Sequence, residues 1–191
     1  MVLLKNSLIF IWQNQIRNEF VNGRIIYERQ LQAMFYFYLR TLLPGEYVIW
    51  VEPVVEINNI ENYNKVKPDL IITKNSQVIA IIELKFKPWE SINNYVPDIR
   101  KLCLFEEIAS TNLKLDLSVK PNSPNWNVQK LNKGNSSFTL IEDHLSVFVA
   151  FYHPDDKYTP NLDSVTKRPK NFLYLKGHFT GPDDVILEYE N

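Results

Sequence analysis

The stretch KPDLIITKNSQVIAIIELKFK, residues 67–87, decides how the rest of the chain is read. Two aliphatic runs, Asp69–Thr73 and Val78–Phe86, flank the polar Lys74-Asn75-Ser76, which predicts a hairpin of two strands. Val78-Ile79-Ala80-Ile81-Ile82 is unbroken apolar, as in a strand buried on both faces. Glu83 and Lys85 interrupt its end, and such residues are almost never fully buried unless paired. Strand side chains alternate, so these two share a face. A three-residue turn at 74–76 pairs Thr73 with Gln77 and sets Asp69 opposite Ile81. Asp69 is then the diagonal neighbour of Glu83, at roughly 7–8 Å. Two carboxylates so placed reach one hard cation, and magnesium fits best because it takes carboxylate oxygens and keeps waters. A two-residue turn instead sends Asp69 to the opposite face. The competing reading is a cross-strand salt bridge on a solvated face.

Upstream, Ile9, Trp12, Ile16 and Phe20 recur at helical spacing and predict an amphipathic helix over 4–21. A second helix is expected over about 26–43, closed by Pro44-Gly45. Its stripe is Leu31, Phe35, Tyr38 and Leu42, and Glu28 lies on the same stripe. An unpaired carboxylate facing the sheet there is costly. Alternatively, Glu28 is a first-turn acid complementing the helix dipole. Residues 47–57 read as a strand, with Pro53 at an edge or bulge.

Downstream, 97–110 reads as a helix, with Pro97 in its first turn and Asp98 at the positive end of its dipole. The Asn-, Ser- and Pro-containing 111–137 is a long loop or an inserted pair of short strands. LSVFVAFY, 145–152, predicts another buried strand. Residues 153–170 read as loop, and 171–176 and 185–189 as two final short strands.

Pro68-Asp69, a gap of 13 residues, then Glu83-Leu84-Lys85 resembles the signature of the PD-(D/E)xK nuclease superfamily. The flanking order, helix, three-stranded meander, helix, strand, also resembles that family's core over roughly 24–152. Pro-Asp recurs at 97–98, 154–155 and 182–183, but only 68–69 is followed across a hairpin by Glu-x-Lys. The resemblance implies an α/β, restriction-endonuclease-like fold in a single domain over 1–191. Its mixed central sheet is flanked by helices in the order α-β-β-β-α-β. An extra N-terminal helix and a C-terminal β elaboration over 153–191 are added. It implies a metal-dependent nuclease acting on phosphodiester bonds, DNA above RNA, with Asp69 and Glu83 on Mg2+ (Mn2+ as substitute). Lys85 then orients or polarises the attacking water and steadies phosphate charge. Members often add a glutamate from the helix before the sheet, and Glu28 matches that place as a further metal ligand and catalytic residue. Glu52 competes for the role. No Gln-x-x-x-Tyr pattern follows Lys85, which argues against the RecB-like exonuclease branch. The alternative class is a non-catalytic nucleic-acid- or protein-binding module that kept the fold.

Composition narrows the rest. At 191 residues with 45% apolar and 23% charged content, the chain has the make-up of one globular domain. One cysteine, Cys103 in an apolar setting, excludes an internal disulfide and multi-cysteine zinc sites. His144, His153 and His178 are too scattered for a zinc site. Five glycines leave no phosphate-binding glycine loop. The net charge of −1 means that nucleic-acid contacts must come from local clusters. One is Lys65, Lys67, Lys74, Lys85, Lys87, Arg100 and Lys101, and the other is Lys157, Lys167, Arg168, Lys170 and Lys176. Trp89 and Phe35–Tyr38 read as core before base-stacking platforms. Lys5 and Asn6 break the opening apolar run and no small-x-small cleavage site follows. The expectation is a cytoplasmic protein without membrane contact, its oligomeric state open, a homodimer included.

Overall fold

The computed structural model describes residues 1–56, 65–86, 95–109, 114–118, 137–152, 167–181 and 184–191. The chain opens with one continuous helical rod: α1 (Val2–Phe10), a π-helical stretch Ile11–Ile16, and α2 (Arg17–Val21). The wider turn seats Trp12 in the core, where its indole N–H donates to the Glu188 carbonyl at 3.0 Å. Next comes α3 (Glu28–Leu42), whose Gln30 side chain accepts from the Tyr27 backbone N–H at 3.0 Å and fixes the helix start. Its buried residues are Leu31, Gln32, Phe35 and Leu39, whereas Leu42 is 42% exposed. The stripe predicted through Tyr38 and Leu42 is thus rotated toward Leu39, because a straight helix advances 3.6 residues per turn.

The strands are β1 (Tyr47–Val51), β2 (Val54–Glu56), β3 (Lys65–Val66), β4 (Leu70–Lys74) and β5 (Gln77–Phe86). After α4 (Val96–Ala109) come β6 (Lys114–Ser118), β7 (Ser137–Tyr152), β8 (Phe172–Gly181) and β9 (Asp184–Glu190). All nine lie in one mixed sheet of order β1-β4-β5-β7-β6-β2-β3. β8 pairs with β7, and β9 with β8. β7 runs parallel to both β5 and β8; the other pairings are antiparallel. The single strand expected over 47–57 is two strands. Glu52 takes φ 46 and the chain turns at Pro53, so β1 joins β4 while β2 joins β3 and β6. The strand expected at 145–152 starts at Ser137, and β6 occupies part of the region left open between 111 and 137. The expected loop character of 119–136 and 153–166, and the places of Trp89, Lys87, Lys157 and His153, lie outside the described residues.

Two apolar layers clamp the sheet. On one face α1–α3 pack Leu8, Trp12, Phe35 and Leu39 onto Leu70, Ile82, Leu84 and Val149. On the other, α4 packs Ile99, Leu102, Phe105 and Ile108 onto Ile71, Ile81, Phe148 and Tyr174. β5 is buried from Val78 to Leu84, the central strand its sequence predicts. No helix among the described residues is long and apolar enough to cross a membrane.

The hairpin register differs from the expected one, and the difference places the site. The turn is two residues, Asn75 (φ 50) and Ser76 (φ 62), with Lys74 paired to Gln77. Alone, that turn would put Asp69 on the wrong face. Thr73 pairs with Val78, but Ile72 pairs with Ala80, so Ile79 is an extra, bulged residue. Ile79 and Ala80 both enter the α1–α3 core, while Val78 and Ile81 enter the α4 core. The bulge restores the parity, and Leu70 pairs with Ile82. The ladder ends there; carried one step further, its register sets Asp69 opposite Glu83 rather than diagonal to it.

Candidate active site

The site forms where β4 stops and β5 continues. Beyond Ile82, the edge of β5 that faced β4 has lost its neighbour, and two backbone N–H groups on it need acceptors. The Asp69 carboxylate takes the Leu84 N–H at 2.7 Å, and the Glu28 carboxylate takes the Phe86 N–H at 3.1 Å. One turn along α3, the Gln32 amide donates to the Asp69 carbonyl at 3.1 Å. Helix α3 therefore reaches the open strand end through Glu28 and Gln32. Glu52, the rival third acid, pairs with Lys67, while its backbone N–H donates to the Asp69 carbonyl at 2.8 Å.

From the opposite layer, the first turns of α4 supply Asp98 and Lys101. Lys85 Nζ lies 3.0 Å from Asp98 Oδ2, and Lys101 Nζ lies 2.6 Å from Glu83 Oε2. Lys101 Nζ also lies 3.6 Å from Asp98 Oδ1 and 3.4 Å from the Lys67 carbonyl. The structure thus gathers Asp69, Glu83, Lys85 and Glu28 at one strand end. It adds Asp98 and Lys101, which the sequence offered only as a dipole-complementing acid and one member of a basic cluster. Their i, i+3 spacing on a helix packed over Glu-x-Lys was the available signal.

Electrostatics at this corner is out of balance. Glu83 is 1% exposed, and its Oε1 has no hydrogen-bond partner among the described residues. Burial pushes its carboxyl well above the usual range; Lys101 pulls it back and Asp69 adds to the rise. Burial likewise raises Asp69 to about 6, against the Leu84 N–H and Lys101 and with the charges of Glu28 and Asp98. Burial pulls Lys85 and Lys101 down, but the surrounding acids outweigh it and hold both above the ordinary lysine value. Both stay ammonium ions at neutral pH and act as fixed charge, not as bases. When ionised, the four carboxylates of Glu28, Asp69, Glu83 and Asp98 face two ammoniums, leaving the charge that one divalent cation supplies.

Among the described residues no three His, Cys, Asp or Glu side chains close on a common point. Each acid has one oxygen engaged, by Leu84, Lys101 or Phe86. A site of two carboxylates with retained waters is the usual magnesium arrangement and needs no third. The orphaned Glu83 Oε1, the all-oxygen donors and the surplus negative charge fit such an ion.

Cys103 and His144 make local contacts. Cys103 is buried, with its thiol donating to the Lys167 carbonyl at 3.4 Å. His144 is buried between the Ile141 carbonyl, 3.0 Å from Nδ1, and the Ser146 hydroxyl, 3.3 Å from Nε2.

The chain is thus a mixed sheet between two helical layers, an α/β architecture with Asp69 and Glu83-Leu84-Lys85 where β4 stops and β5 continues. Neither a protein-family model nor a curated protein matches the chain. A solved structure described as P. aeruginosa ATCC27853 NucC in its cAAA-bound form is similar over 96% of this chain and 83% of its own, at 12% identity and a TM-score of 0.45. Chains so far apart need share no chemistry.

Proposed function

We propose that this protein is a metal-dependent nuclease that hydrolyses phosphodiester bonds of nucleic acid, DNA above RNA. One observation carries the reading: the carboxylate of Asp69, next to the last β4–β5 pair, takes the Leu84 N–H between Glu83 and Lys85, at a strand end where Glu83 Oε1 has no hydrogen-bond partner among the described residues. Asp69 and Glu83 would hold Mg2+, with Glu28 beside them; Mn2+ is the expected substitute. The ion, when bound, supplies a Lewis acid that lowers the pKa of its water and neutralises phosphate charge. Lys85, anchored by Asp98, supplies a fixed positive charge where the phosphate gains negative charge in the transition state. Glu28 and Asp69 hold the end of β5 through Phe86 and Leu84, so the geometry of Glu-x-Lys is set before substrate arrives.

The test is incubation of the purified chain with single- and double-stranded DNA and RNA in millimolar Mg2+ or Mn2+, beside Asp69→Asn. The expected result is cleavage by the wild type, abolished by EDTA and by the substitution. Wild-type activity in Asp69→Asn would overturn the assignment. No cleavage of any substrate, with a melting temperature indifferent to both metals, would favour the non-catalytic binding module.

A further inference from the structure

Lys101 sits where a metal ion and an ammonium compete for the same carboxylate. Its Nζ is 2.6 Å from Glu83 Oε2, and Glu83 is 1% exposed. A buried carboxylate without a counter-charge is costly, so the metal-free fold needs this lysine. A divalent cation on Glu83 would face an adjacent ammonium of like sign. The two charges are compatible only if one moves, and Lys101 is built to move. Its side chain is 25% exposed on a flexible four-carbon stem. Two further acceptors already lie within a small swing, Asp98 Oδ1 at 3.6 Å and the Lys67 carbonyl at 3.4 Å. Lys85 holds a different position, with its Nζ 3.0 Å from Asp98 Oδ2.

We propose that Lys101 is an exchangeable internal counter-ion: it holds Glu83 in the metal-free protein and transfers to Asp98 and the Lys67 carbonyl when a divalent cation binds. Lys101 is thus a positioning residue that sets how tightly the site takes its ion. The inference rests on the reading that Asp69 and Glu83 hold such an ion.

Titration calorimetry with Mn2+ on the wild type, Lys101→Met and Lys101→Arg tests it, beside melting curves with and without Mn2+. Lys101→Met should bind Mn2+ about tenfold more tightly, because the competing charge is gone. Without metal it should melt lower than the wild type, and it should gain more from Mn2+. Lys101→Arg keeps the charge and should bind no more tightly than the wild type. Lys101→Gln, which can still donate to Glu83, repeats the gain should the methionine variant fold poorly. Wild-type binding with no gain in the neutral variants overturns the counter-ion role and leaves the nuclease reading standing. Absence of Mn2+ binding in the wild type and in every neutral variant overturns both. Binding that emerges only when Lys101 is neutral supports the proposal in its strongest form.

Discussion

Glu19 and Glu83 are the two acids that the described residues bury, at 6% and 1% exposure, and their surroundings differ in kind. Glu19, on α2, is closed off by its neighbours. Arg24 Nη1 reaches both oxygens at 3.2 and 3.1 Å, and the Tyr38 hydroxyl donates at 2.6 Å. These donors, Tyr38 foremost, hold its carboxyl below the usual range despite burial. Among the described residues Glu83, on β5, has one lysine and one orphaned oxygen, and burial drives its carboxyl up. A buried carboxylate is not by itself a sign of function. Glu19 shows that this fold can satisfy one completely where it only ties helices together. The incomplete satisfaction of Glu83 among the described residues, beside a second raised acid, is what the proposed metal site rests on.

The largest test of that contrast exchanges each acid for its amide. Glu83→Gln should lose about a thousandfold in metal-dependent cleavage, the scale set by removing an electrostatic group from a transition state. Its metal-free melting temperature should be unchanged or higher. Glu19→Gln should keep full cleavage per folded molecule; equal activity losses in both would erase the distinction.

The pH dependence of metal-free stability should split the two regions by sign. Asp69 has a folded-state value of about 6, above its ordinary 3.8, so between those values the folded chain binds the extra proton. Its contribution is fully present below about pH 3.8 and is lost as pH rises through about 6, a change of about 3 kcal/mol at most. Glu19 is shifted downward, so its contribution is present above its ordinary 4.5 and is lost as pH falls through the lowered value. Urea unfolding in EDTA from pH 4 to 7 should show a decline to which Glu83, also raised, contributes; Asp69→Asn should make it shallower and Glu19→Gln should not. Parallel curves for wild type and Asp69→Asn would contradict the burial of that acid.

Smaller is the stability cost at the satisfied acid. Glu19→Gln forfeits charge-assisted hydrogen bonds and should destabilise by about 2 kcal/mol. That corresponds to a melting temperature lower by about 4–8 °C for a chain of this size. A neutral effect would mean that the pairing with Arg24 and Tyr38 carries little energy. Smallest is a control remote from both acids. Ser76, at φ 62, sits in the left-handed region, and Ser76→Gly should stabilise by about 0.5–1 kcal/mol. Cleavage per folded molecule should not change; if it does, the turn influences the register that places Asp69.

Much of this architecture is legible in one dimension. The unbroken apolar run of β5 marks a central strand, and the helical period before it and the Pro97-Asp98 helix start after it mark the helices that cover it. Glu28 stands out because an acid on an apolar stripe needs a partner, and the structure supplies the Phe86 N–H. Glu52-Pro53 was readable as an irregularity but not as a parting of strands, since which neighbour each half pairs with is a matter of the whole sheet. Asp98 and Lys101 carried no local signal beyond their spacing, because their partners lie on another element.

Read alone, the chain singles out Asp69, Glu83 and Lys85 as candidates by their order around one hairpin, and alternation puts the last two on one face. Whether Asp69 joins them depends on the folded ladder. The two-residue turn and the Ile79 bulge each shift the register by one, and only their combination returns Asp69 to the face of Glu83. A bulge forms where neighbouring layers accept the displaced side chain, and here the α1–α3 core takes Ile79 and Ala80 together. Facing in a strand depends on parity. Parity is a property of the whole ladder and of the cores packed against it, so no window of residues contains it.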